Sequence, residues 1–132
     1  MKPLVYWAGP YSGDVENNIR RAQLWACAIN RTGLVYAVLP HVFSHGIEAS
    51  LSEADWREMT LELSRRCDGL LMDPAFHESD GSVGEFNAAI VEHRPVVIAQ
   101  SIEKIEDSVR ALLIEIEGFR ALRRVGAIGG DS

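Results

Sequence analysis

The chain alternates short apolar runs with longer segments in which apolar residues recur every three or four positions. "LVYWA" at 4–8 is β-rich and stops at Gly9-Pro10. From Asp14, a suitable N-cap, Val15, Ile19, Ala22, Ala26 and Ile29 recur at helical spacing until Gly33 ends the helix. "LVYAVLP" at 34–40 reads as a second buried strand closed by Pro40, and "HVFSHGIEAS" after it as a loop. Ser50-x-x-Glu53 has the form of a capping box, after which Trp56, Met59 and Leu63 line one helical face. "CDGLLMD" at 67–73 and "PVVIA" at 95–99 read as a third and a fourth strand. Between them the pattern predicts a helix from about Ser82 to His93, with Phe86, Ala89 and Ile90 inward. Ile102, Ile105, Val109, Leu112, Ile116 and Phe119 mark a long amphipathic helix, and the tail 124–132 is expected to be mobile.

This βαβαβαβα order, with neither repeat nor linker, predicts one domain over 1–132 with a parallel sheet covered by helices on both faces. Right-handed crossovers narrow the topology to a flavodoxin-like or Rossmann-like three-layer sandwich with a central parallel sheet of four to five strands. In such sheets ligands bind beyond the carboxyl ends of the strands. That rule brings together "GPYSG" after the first strand, "PHVFSH" after the second and "DPAFHESDGSVGE" after the third.

Composition changes this picture little. The length of 132 residues suits one domain, and the hydrophobic 47% and charged 24% are ordinary for a globular chain. A formal charge of −6 offers no general attraction to nucleic acid or to an anionic membrane. Cys27 and Cys67 form no C-x-x-C pair and read as buried free thiols in a reducing compartment. The N-terminus lacks the long apolar core of a signal peptide, and no run reaches membrane-spanning length, so a cytoplasmic protein is expected.

Two segments carry the candidate chemistry. In "AGPYSGD", Gly9 and Gly13 permit close backbone approach and Gly9, Pro10, Tyr11 and Ser12 lead into a helix start, a natural anion site or simply a tight turn. The order is neither G-x-G-x-x-G nor a P-loop. "SDGSVGEF" repeats the design with Ser79, Asp80, Gly81 and Ser82. There Ser82-x-x-Glu85 reads either as a capping box, with Glu85 a structural accessory, or as a first-turn carboxylate facing the crevice as a nucleophile. His41 and His45 are four apart, but Pro40 and Gly46 make a loop there and no carboxylate stands at ligand spacing, so no metal is expected. His41 and His77, each just past a strand end, are candidates for ligand contact. Trp7, Trp25 and Trp56 read as core or interface residues.

Taken in order, "YWAGPYSGDVENNIRRA", "G-x-V-Y-A-V-L-P", "W-R-E-M…RRCDGLLM" and "F-H-E-S-D-G-S-V-G-E-F-N-A-A…RPVVI" resemble the nucleoside 2-deoxyribosyltransferase-like superfamily. Its small phage and bacterial members are the nearest in flavour, and it includes the 2′-deoxynucleoside 5′-monophosphate N-glycosidases. The likeness spans roughly residues 4 to 99. It implies a flavodoxin-like fold, no cofactor, and a homodimer or higher homo-oligomer whose sites a neighbouring subunit completes. The substrate implied is a nucleoside or nucleotide, with no nucleic acid polymer and no membrane as partner.

The resemblance assigns Glu85 as the nucleophile that attacks the anomeric carbon of a 2-deoxyribosyl group, and Tyr6 as the group that orients it. Ser79 and Gly81 match positions that hold the sugar 5′ end or the 5′ phosphate. Breaking an N-glycosidic bond builds oxocarbenium charge, which a fixed carboxylate stabilises or captures. A serine-rich loop with helix amides suits a phosphate, which favours a nucleotide over a nucleoside. Where many relatives carry an Asp that assists the base, this chain has Thr60, flanked by Glu58 and Glu62, which leaves Asp80, Glu62 or a neighbouring subunit to supply the proton. Two other readings stand beside this one. One is a non-catalytic nucleotide-binding or sequestering protein. The other is a ribonucleotide phosphoribohydrolase, whose paired glycines and G-T pair "DGSVGEF" does not reproduce.

Overall fold

A computed structural model gives the architecture, and the structure describes residues 1–128. Among the described residues, four strands, β1 (Leu4–Ala8), β2 (Tyr36–Val38), β3 (Gly69–Met72) and β4 (Val96–Ile98), form one all-parallel sheet in the order β2-β1-β3-β4. The α-helices among them are α1 (Val15–Arg31), α2 (Pro40–Ser44), α3 (Glu53–Arg66), α4 (Asp80–Val91) and α5 (Ile105–Arg124). This is the expected α/β three-layer sandwich, and its strand order is the flavodoxin-like one over four strands.

Side-chain alternation along the strands sorts the core into two layers. Val5 and Trp7 of β1 and Leu71 of β3 face α1 and α5, meeting Ala22, Trp25, Ile29, Val109, Leu112 and Ile116. Trp7 and Trp25 stack with ring centroids 4.8 Å apart, the core role expected of them. The alternate residues, Tyr6, Ala8, Leu70 and Met72, face α3 and α4 with Cys67 and Ala89. Gly69 lets α5 close on β3: a Cβ there would stand 3.0 Å from Leu112 Cδ1.

Several boundaries differ from the sequence pattern, each for a local reason. The residues after β2 are not a loop, because Pro40, with its φ already set for a helix, starts α2. A 3₁₀ turn at Glu48–Ser50 follows, and there the Ser50 hydroxyl donates to Ile47 O at 2.6 Å. Ser50 therefore caps nothing. Ser52 is the N-cap of α3 and accepts from the Asp55 amide at 3.1 Å. β2 shortens to three residues. Ile90 points outward from α4, and Cys27 is exposed while Cys67 is buried. At the C-terminus, Arg124 ends α5 and the amides of Val125, Gly126 and Ala127 bond back to Ala121, Arg123 and Leu122. Residues 129–132 of the tail lie outside the described residues. Among the described residues, no helix is long and apolar enough to cross a membrane.

Candidate active site

The chain leaves β1 toward β2 on one side and returns to β3 on the other. The loops at the carboxyl ends of β1 and β3 therefore diverge and open a crevice. A cleft of about 660 Å³ lies there. Tyr6, Gly9, Pro10, Tyr11, Ser12, His41, Ser79, Asp80, Gly81, Ser82 and Glu85 all line it. His77, a candidate for ligand contact from its place after β3, stands elsewhere: it is exposed, packs edge-on against Phe76, and is not among the lining residues.

Asp73 and Gly9 bring the ends of β3 and β1 into close contact beside the crevice. Asp73, at the end of β3, is 1% exposed and donates its amide to Ala8 O at 2.7 Å. Its carboxylate accepts from Arg21 Nε at 2.8 Å, Arg21 Nη2 at 2.6 Å and the Ala75 amide at 2.8 Å. This fork couples α1 to the β3 end. Gly9 passes so close to Asp73 that a Cβ would meet Asp73 Cβ at 2.9 Å, so the first loop crosses here only as glycine.

Glu85 is placed by α4. Ser79 caps this helix, its Oγ accepting from the Ser82 amide at 3.3 Å, so the helix starts two residues earlier than the pattern suggested. Ser82 is thus inside the first turn and is no N-cap, and the Ser82-x-x-Glu85 capping box does not form. Ser82, Glu85 and Ala89, at i, i+3 and i+7, are the buried residues of the helix. A carboxylate therefore occupies a core-facing position opposite Tyr6, where a hydrophobic residue would ordinarily sit.

Glu85 is 9% exposed, and its Oε2 is buried without a hydrogen-bond partner. Burial pushes its pKa from 4.5 up to about 7, while hydrogen bonding from Tyr6 pulls the other way. The Tyr6 phenol is itself raised well above its ordinary value, by burial first and then by the Glu85 charge and hydrogen bond. Thr60 lies near enough to Tyr6 to oppose that rise, and its own hydroxyl donates to Trp56 O at 3.0 Å.

On the opposite wall His41 is 4% exposed, and its Nε2 is 2.9 Å from Pro10 O. A carbonyl can only accept, so Nε2 carries the proton. Nδ1 is left as a buried acceptor without a partner. Burial lowers the His41 pKa, so this neutral tautomer is the resting form at neutral pH. Nearer the mouth, the Tyr11 hydroxyl donates to Glu48 Oε1 at 2.7 Å, and that bond is the main cause holding Glu48 at about 2.

The α3 wall has no counterpart in the sequence pattern. Glu53, Trp56 and Arg57 line the cleft, with Arg57 Nη2 on Glu53 Oε1 at 2.8 Å and Trp56 Nε1 donating to Glu48 O at 2.8 Å. The i,i+4 Glu53–Arg57 spacing on a helix flanking the crevice was the available signal. Glu62, one candidate for the leaving-group proton, is tied to Arg65 and Arg66 and does not line the cleft, whereas Asp80 does.

Fold and site together define a flavodoxin-like α/β protein with a buried, titratable carboxylate in the cleft where its strand order reverses. The chain belongs to the DUF4406 family, described as a domain of unknown function, whose family model matches residues 3–98. That span carries all four strands and every residue that lines the cleft. A search of curated proteins finds no match.

Proposed function

We propose that this protein cleaves, or transfers at, the N-glycosidic bond of a 2′-deoxynucleoside or its 5′-monophosphate, with Glu85 as nucleophile. One observation carries the reading: a carboxylate sits in the wall of the cleft, desolvated, with a tyrosine as its polar partner. The ordered resemblance to deoxyribosyltransferase-like proteins supports it. A desolvated carboxylate has no charge partner until positive charge develops at the sugar, so its stabilisation is concentrated in the transition state.

A Glu85 carboxylate oxygen bonds to C1′ as the C1′–N bond breaks. The bonding pair leaves with the base, which takes up a proton from an acid or from water, and the sugar remains as an ester on Glu85. Water then attacks C1′ and frees the carboxylate; a second base in its place gives transfer. Tyr6 fixes the rotamer of Glu85 and favours its ionised form. Because the ionised form attacks, kcat/KM rises with pH through the Glu85 value of about 7.

A cytoplasmic setting belongs to the same reading, supported by two cysteines that form no disulfide. So does a homo-oligomer: Val42, Phe43, Ile47 and Leu51, large apolar side chains around the cleft's α2–α3 side, are exposed and could be covered by a second copy.

The deciding experiment is base release, followed by chromatography, from the common deoxynucleosides and their monophosphates. Wild type should release base, Glu85→Ala should not, and intact mass should trap a deoxyribosyl adduct on the wild type. Full activity in Glu85→Ala refutes the assignment. Tight binding by wild type without any base release favours the non-catalytic binding protein instead.

A further inference from the structure

The charge of the cleft bears on which substrate it takes. Glu48, Glu53, Glu78, Asp80 and Glu85 line it, and among its described lining residues Arg57 is the one arginine or lysine. Arg57 is already engaged by Glu53. His41 is buried, which disfavours a positive charge on it, and its Nε2 proton is committed to Pro10 O.

The helix start that would cradle a phosphate is also compromised. The Ser82 amide is spent on Ser79 Oγ and the Val83 amide on Ser79 O, and Glu78 and Asp80 flank Ser79 on either side. Among the cleft's described lining residues the buried side-chain atoms left without partners are Glu85 Oε2 and His41 Nδ1, both acceptors when Glu85 is ionised and His41 neutral. They suit hydroxyl and N–H donors and repel another anion.

We infer that the cleft selects an uncharged 2′-deoxynucleoside and discriminates against the corresponding 5′-monophosphate. This rests on the N-glycosidic reading above and names its substrate class. It reverses the preference that the serine-rich loop alone suggests. A phosphomonoester brings a charge of about −1.5 to −2 at neutral pH. Placed beside Glu78 and Asp80, it meets like charge with no free guanidinium or ammonium to offset it.

The test measures binding by calorimetry on the full chain carrying Glu85→Gln, which removes turnover under the reading above. The probes are matched pairs, each common 2′-deoxynucleoside against its own 5′-monophosphate. Base release by wild type is followed in parallel. The nucleoside should bind at least about tenfold more tightly than the monophosphate, a difference equivalent to about 1.4 kcal/mol. The gap should narrow as ionic strength rises from about 0.05 to about 0.5 M. Adding Glu78→Gln with Asp80→Asn should shrink it further by strengthening the monophosphate.

Equal or tighter binding of the monophosphate overturns the inference and leaves the proposed reaction intact if base is still released. Selective nucleoside binding without base release does the reverse: it removes the reaction and keeps the selectivity. Binding of neither class overturns both.

Discussion

Replacing Glu85 with Gln should make this protein more stable at alkaline pH, whatever its substrate. The folded carboxyl titrates at about 7 and the unfolded one at 4.5, because burial penalises the charge. Between those values the native state holds a proton that the unfolded state has lost, so wild-type stability falls as pH rises through that window. Stability is highest below the unfolded value and levels off at its lowest above the folded one. Each pH unit between the two values is worth about 1.4 kcal/mol, so the wild type should lose roughly 2–3 kcal/mol between about pH 5 and about pH 8 through this group.

Glutamine keeps the volume and the contact to Tyr6 but cannot ionise. Urea unfolding of both proteins at the two pH values isolates the contribution of this one carboxyl. The curves should nearly coincide at the lower pH, and Glu85→Gln should be more stable by roughly 2–3 kcal/mol at the higher one. If the difference between the two proteins is the same at both pH values, Glu85 is not a desolvated carboxylate and the mechanism loses its basis.

Tyr6→Phe removes the hydrogen bond that favours ionised Glu85, so the acid limb of the kcat/KM profile for base release should move to higher pH; an unmoved limb refutes the coupling. Gly9→Ala should destabilise by about 1–3 kcal/mol in urea unfolding, because the new Cβ meets Asp73 Cβ at 2.9 Å and neither backbone can easily give way. Cys27 is exposed, whereas Cys67 is buried with its thiol pushed up to about 11, chiefly by burial. An aromatic disulfide reagent should therefore titrate one thiol in the native protein and the second only after denaturant is added; rapid reaction of both would contradict the burial of Cys67.

How much of this was legible in the chain depends on the range over which each feature is decided. β1 and the Asp14 cap of α1 are local, and apolar runs and capping chemistry located both. α2 was hidden because Pro40 ends a strand as readily as it begins a helix, and five residues are too few to show a period. Ser79 and Ser82 are equivalent cap candidates by local pattern; in the fold Ser79 is the cap, and Ser82 turns inward with Glu85 and Ala89. Burial of Glu85 against Tyr6 joins a strand near the start of the chain to a helix far along it, which no local pattern encodes. Topology does point to it: the rule for where ligands sit in a parallel sheet gathers the three loops without reference to any contact. The α3 wall is not visible locally, because the pattern gives Glu53 to a helix cap and Trp56 to the core or an interface.

The helix α5 has one further consequence. The family match stops at residue 98, at the end of β4, yet Val109, Leu112 and Ile116 complete the layer over Val5, Trp7 and Leu71. The segment shared with the family therefore contains all of the cleft but only part of what keeps water off the sheet beneath it. A fragment ending there would keep α1 but uncover the part of that face over β3 and β4 on which α5 packs, and so invite self-association. The boundary of kinship and the boundary of autonomous folding do not coincide in this chain, and any attempt to transplant or minimise the cleft has to carry the last helix with it.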